Sequence, residues 1–134
     1  MTAAAQGTPI QKGDIVLVRT GYGAHWDDPE TYEGAAGVEA SGSRWLADQQ
    51  VRMVGADNVA WDLFGLRDAE MDVTLPGHVI LLVRNGIHIL EHLYLEELAR
   101  DQVHEFAFVC LPLKIRGATG SPIRPIAVLP VSYS

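Results

Sequence analysis

A single cysteine, Cys110, stands in the 134-residue chain, so no internal disulfide can staple the fold, and a reducing cytoplasm is the expected compartment. Basic residues are scarce: ten Lys and Arg against seventeen Asp and Glu, for a formal net charge of −7. Nothing in that balance neutralises phosphates, which weighs against a nucleic-acid partner. No apolar stretch approaches the roughly 20 residues needed to span a bilayer. The opening residues have neither the basic start nor the apolar run of a secretory signal. Repeats, CxxC pairs and helical HxxxH pairs are missing, so a self-contained zinc site has no spacing to support it. No GxSxG elbow or GxxxxGK[ST] loop occurs either, which removes the sequence grounds for serine-hydrolase and phosphate-loop chemistry.

What is present describes an ordinary globular chain: 48% hydrophobic and 20% charged residues, with enough length to build a core. Residues 1–12 read as a flexible tail and 13–134 as a single domain. Asp14 to Thr20 is β-branched between two glycines and reads as a strand. Gly21 to Gly42 reads as a long loop, followed by a helix over Arg44 to Gln50 capped by Ser43, with Trp45 on its apolar side. Val51 to Val54 returns as a strand, and Ala56 to Thr74 as loop with some short helix. Leu75 to Asn85 carries an early proline and a terminal Asn-Gly, the punctuation of a helix. Ile87 to Leu90 is a short strand and Leu95 to Arg100 a short helix. Glu105 to Ile115 and Ile126 to Val131 are strands joined by a Gly, Ser and Pro loop. Strands alternating with helices give an α/β fold with a mixed sheet and short flanking helices.

Of five histidines, His78 carries the most chemistry. It opens the Leu75 helix, and Glu91 closes the strand that follows, so a helix folding back on its strand brings imidazole and carboxylate together. That pair suits zinc or manganese; the plainer alternative is a packed histidine and a surface ion pair. His92 could orient Glu91 from behind or be a surface residue. His25 and Trp26, beside Asp27 and Asp28 in the long loop, could line a pocket mouth and contact substrate, or form a polar turn. His88 should face away from its apolar neighbours. Cys110 reads as a small buried hydrophobe.

Four segments resemble the cyclase family, which includes kynurenine formamidases and isatin hydrolases. They are GDIVLVRTGY (13–22), RWLADQQVRMVGAD (44–57), GHVILLVRNGIHILEHLYLEEL (77–98) and FAFVCLPLKIRGATGSPIRPIAV (106–128). The resemblance implies a barrel-like β core and hydrolysis of small cyclic or acyl amides with one or two divalent metals, zinc or manganese. It also implies that His78 and Glu91 occupy ligand positions. The family's HxGTHxDxPxH motif, which carries most of the ligands, does not occur here, so the chain corresponds to the family's C-terminal half. Three readings follow: an amide hydrolase completed by a complementary chain or by self-association, a non-catalytic binding or assembly protein, or a cyclase acting on a polyketide-like substrate. Half a fold leaves open edges, and a homo-oligomer is expected.

Overall fold

The computed structural model describes residues 2–130. Three parallel strands form the central sheet: β1 (Ile15–Val18), β2 (Met53–Ala56) and β3 (His88–Leu90), in that spatial order. Ile15 pairs with Met53, and Met53 with His88. Parallel strands must be joined by crossovers. The first contains α2 (Pro29–Glu33) and α3 (Ala40–Asp48); the second contains α4 (Pro76–His78), which runs on as a π-helical turn over Val79–Arg84. The remaining elements are α1 (Thr2–Gln6), a 3-10 turn at Tyr22–His25, α5 (Glu96–Arg100), and an antiparallel pair, β4 (Ala107–Val109) with β5 (Ile126–Val128).

The sheet is apolar on both faces, as parallel strands usually are. Val16, Val18, Val54, Ala56 and Ile89 point to one side, where Leu46 of α3 and Leu81 of the π-helical turn complete a core around the fully buried Trp61. Leu17, Met53 and Leu90 point to the other, against Leu93 and Leu95 and beneath Phe108 of β4 and Cys110 just after it. The α3 helix and the π-helical turn therefore cover one face, and the hairpin together with Leu98 of α5 the other. The α/β class and short helices agree with expectation, but the β structure is two separate small sheets, not a closed barrel. The hairpin packs on the central sheet through side chains, while its ladder hydrogen bonds run only between β4 and β5.

Several local expectations are corrected. Residues expected to be a loose tail include a helical turn at Thr2–Gln6, where three consecutive alanines have the highest helix propensity. The long loop at 21–42 contains α2, capped by Asp28, whose carboxylate accepts from the Thr31 N–H. The third helix starts at Ala40, not after Ser43, because Ser43 is fully buried inside it and spends its hydroxyl on the Trp61 indole. Leu46, not Trp45, is that helix's core residue; Trp45 is 40% exposed. The expected strand at Val51 begins two residues later, at Met53. No helix forms between Ala56 and Thr74, where the Asp68 carboxylate instead takes the Glu70 and Met71 N–H groups in a turn. The Glu105 to Ile115 strand is paired only over Ala107–Val109, and the last strand over Ile126–Val128, its expected end at Val131 lying outside the described residues. Among the described residues no helix is long and apolar enough to cross a membrane.

Candidate functional site

The carboxyl ends of the three parallel strands gather the polar side chains. Thr20 and Gly21 follow β1, Asp57 and Asn58 follow β2, and Glu91 and His92 follow β3. That edge is where open α/β sheets place their ligands, because the loops diverge there and leave a crevice. Asp57 is fully buried and ties the first two loops together, accepting from the Thr20 N–H at 2.6 Å, the Thr20 hydroxyl at 2.7 Å and the Gly21 N–H at 3.0 Å.

His78 and Glu91 do meet. The His78 Nε2 lies 3.4 Å from a Glu91 carboxylate oxygen, an electrostatic contact at the long edge of hydrogen bonding. Its tighter partner is Asp62, whose Oδ2 is 2.7 Å from Nδ1. The Asp62 side chain is fully buried, and it also accepts from the backbone N–H groups of Gly77 and His78. One carboxylate thus serves as the cap that α4 lacks locally, since Leu75 at the cap position offers no side-chain acceptor. It also fixes the imidazole ring. Between two acids, His78 is pushed up to about 9, chiefly by the Asp62 bond and then by Glu91, against the opposing effect of burial. Glu91 is held below the usual carboxylate range, mainly by His78. The same Glu91 oxygen, Oε1, also accepts from the Trp61 backbone N–H, at 3.2 Å.

Asp62 is the residue that sequence reasoning missed. Two signals pointed to it: an acid inside the apolar run Trp61-Asp-Leu-Phe, and a Pro-Gly helix start with no capping residue of its own. The surroundings are built to fit. A Cβ on Gly77 would sit 2.6 Å from the Trp61 ring, 2.7 Å from Asp62 Oδ1 and 2.9 Å from Ser43 Oγ, so only glycine lets the helix start reach the carboxylate.

The other singled-out residues separate into two groups. His92 does not hydrogen-bond Glu91; its Nδ1 lies 2.9 Å from the Tyr32 hydroxyl, and its ring stacks on Tyr32 at 5.8 Å. The backbone of His92 is left-handed, at φ 57°. Trp26 stands edge-on to both rings. The three aromatic residues line an open cavity of about 190 Å³ with Pro29, Glu33 and Val59, one residue along the chain from Glu91. His25 is exposed and faces Tyr22, its ring 6.1 Å away, instead of lining that cavity. His88 is exposed, as its alternation predicted. Cys110 is half-buried, and burial pushes its thiol up, the opposite of what a thiolate nucleophile needs.

Two protein donors, His78 and Glu91, can face one cation. Among the described residues no group of three or more His, Cys, Asp and Glu side chains is arranged to hold a metal ion.

The fold and this strand-end arrangement define a mixed α/β chain similar to metal-dependent hydrolases. Residues 1–63 match the family model described as "Putative cyclase". The chain is 36% identical over 93 residues to cyclase-like protein 3 of Oryza sativa subsp. japonica, covering 69% of this chain and 31% of that protein. It is 34% identical over 114 residues to the kynurenine formamidase of Delftia acidovorans, covering 83% of this chain and 47% of that enzyme. Among solved structures, a potential metal-dependent hydrolase with cyclase activity superposes with a TM-score of 0.63 at 30% identity, covering 89% of this chain and 52% of the other. An isatin hydrolase bound to the product analogue thioisatinate superposes at 0.79 with 23% identity, covering 97% and 50%; this last likeness shows the fold. The chain is similar over part of its length to cyclase-family proteins, and it spans about a third to a half of these two curated relatives.

Proposed function

We propose that this chain supplies part of the metal site of a cyclase-family, metal-dependent hydrolase acting on small amides, in the manner of a kynurenine formamidase. The observation that carries the reading is the fixed orientation of His78. With Nδ1 anchored on buried Asp62 at 2.7 Å, its Nε2 is presented beside Glu91. A metal-binding histidine characteristically has its second nitrogen held in this way, and the imidazole and carboxylate donors fit zinc or manganese. Two donors fall short of the roughly four that a bound zinc uses. The remaining ligands come from a complementary chain or a second copy. A divalent metal held by His78 and Glu91 together with those further ligands would supply Lewis acidity to polarise an amide carbonyl. Asp62 keeps the ring in place, Trp61 aims Glu91, and the cavity walled by Trp26, Tyr32 and His92 receives the substrate's apolar part.

A second reading has its own support. The Asp62–His78–Glu91 chain is already satisfied as an ionic network, and such a network stands without metal in a binding or assembly protein derived from the fold. Elemental analysis of the purified protein separates the two. Near-stoichiometric zinc or manganese, lost in a His78→Ala, Glu91→Ala double variant, supports the hydrolase site. Metal-free folded protein, inert toward N-formyl aryl amides in excess zinc or manganese, supports the second, or a site whose other ligands come from a complementary chain and not from a second copy.

A further inference from the structure

The cavity beside His92 has aromatic walls in two directions. The Trp26 ring stands at 71° to Tyr32 and at 84° to His92, with centroids 5.3 and 5.8 Å away. Tyr32 and His92 themselves lie stacked, at 29°. The stack therefore forms one wall and the indole another nearly perpendicular to it, with Pro29, Glu33 and Val59 completing the lining. Trp26 is 59% exposed, so its indole is not taken up by the core. Aromatic faces carry partial negative charge and attract cations, tryptophan most strongly. The cavity holds about 190 Å³, below the roughly 300–1,000 Å³ of a complete ligand pocket. It takes one group of a ligand, not a whole ligand.

The charge around the cavity decides which group. Glu33, in its lining, makes no ion pair with a described residue. From Thr20 to Ser43 the chain carries Asp27, Asp28, Glu30, Glu33 and Glu39, and no lysine or arginine. Arg19 and Arg44, which bracket this segment, are paired elsewhere, with Glu96 and with Asp68 and Glu70. Asp57 and Glu91 also act on the Tyr32 hydroxyl, which burial, and then these two carboxylates, hold above its ordinary value. An anionic group would be repelled there. A neutral apolar group would use the rings but strip water from Glu33 with nothing in return. An ammonium group bearing carbon substituents uses both the rings and the carboxylate.

We propose that this cavity binds an organic ammonium group, its carbons against Trp26, Tyr32 and His92 and its charge opposite Glu33. In the hydrolase reading the group belongs to the non-reacting end of the substrate, a link that rests on that reading; the binding itself rests on the cavity. The test is a proton NMR titration of choline with metal-free protein in low salt, against its uncharged isostere with carbon in place of nitrogen. The choline methyl signal is expected to move upfield, as protons over aromatic faces do, and the isostere to bind about five-fold more weakly or worse. Trp26→Leu keeps apolar bulk but removes the ring face, and should weaken choline binding by about five-fold or more. Glu33→Gln should weaken it by about three-fold in low salt and by less in high salt, where the charge is screened. Both side chains are exposed, so the circular dichroism spectra of the variants should match the wild type. A choline signal that does not move overturns the proposal, as does equal affinity for the isostere. Choline binding that neither substitution weakens places the site elsewhere and overturns it too. Because the titration needs no metal, the hydrolase reading can fail at elemental analysis while this proposal stands. A metal-loaded protein indifferent to choline overturns this proposal alone.

Discussion

Asp62 and Glu91 grip opposite nitrogens of His78, one from the buried side at 2.7 Å and the other from the exposed side at 3.4 Å. The grip makes stability depend on pH in a definite direction. His78 rises from its ordinary 6.5 to about 9 on folding, so its contribution is complete below about pH 6.5 and is lost as pH rises through about 9. Glu91 is depressed, so its share is complete above its ordinary value of 4.5 and is lost as pH falls through the lowered folded value. Metal-free protein should be most stable between about pH 4.5 and 6.5. From there to pH 9.5 it should lose on the order of 1–2 kcal/mol, the partial exposure of His78 having been discounted. Urea denaturation across that range checks it; a His78→Ala variant with an equally steep decline would refute the assignment.

Asp62→Asn keeps the shape of the side chain but removes the charge that binds the imidazole and both helix-start N–H groups. We expect a destabilisation of about 2–4 kcal/mol, as for breaking a buried charged network. The His78 pKa should also fall toward its ordinary value. An NMR titration of the imidazole reads this second effect, and a value unmoved from about 9 would show that Glu91 alone sustains it.

Gly77→Ala should cost about 1–3 kcal/mol by overpacking, since its Cβ would lie 2.6 Å from the Trp61 ring and 2.7 Å from Asp62 Oδ1. Gly120→Ala is the control, because a Cβ there meets nothing within 4 Å. Equal midpoints of urea unfolding for the two variants would contradict the close packing.

His92 is held at φ 57°, a region that non-glycine residues enter at a cost and β-branched ones rarely enter. His92→Val should therefore destabilise by about 1–2 kcal/mol, and His92→Asn by less. Thermal unfolding ranks the two, and the reverse order would mean that the Tyr32 bond outweighs the backbone.

Much of this architecture was legible in the chain. The apolar runs at 15–18 and 87–90 read as strands because both faces of a parallel sheet are buried, and the Pro-to-Asn-Gly punctuation of 75–86 marked its helix. The meeting of His78 with Glu91 followed from connectivity alone, since a helix and the strand after it are neighbours. Asp62 was hidden because its partners are a backbone end and a ring sixteen residues away, a tertiary relation with no local period. Ser43 misled for a similar reason: a serine before a helix and a serine buried within one look alike until Trp61 is placed against it. The hairpin's strands were read too long because their apolar alternation continues past the last paired residue.

The all-parallel order of β1, β2 and β3 bears on how the chain reaches its native state. No two of these strands can zip up from a tight turn; each pairing waits for a crossover to close, and Ile15 must find Met53 across the whole first connection. Such non-local topologies fold slowly, in the range of milliseconds to seconds. The β4–β5 hairpin is the shortest-range pairing among the described strands, its innermost pair being Val109 with Ile126. If it forms early, it does so before the sheet it rests on exists, with both apolar faces open. Refolding yield should therefore fall steeply as protein concentration rises, and the hairpin is where aggregation would begin.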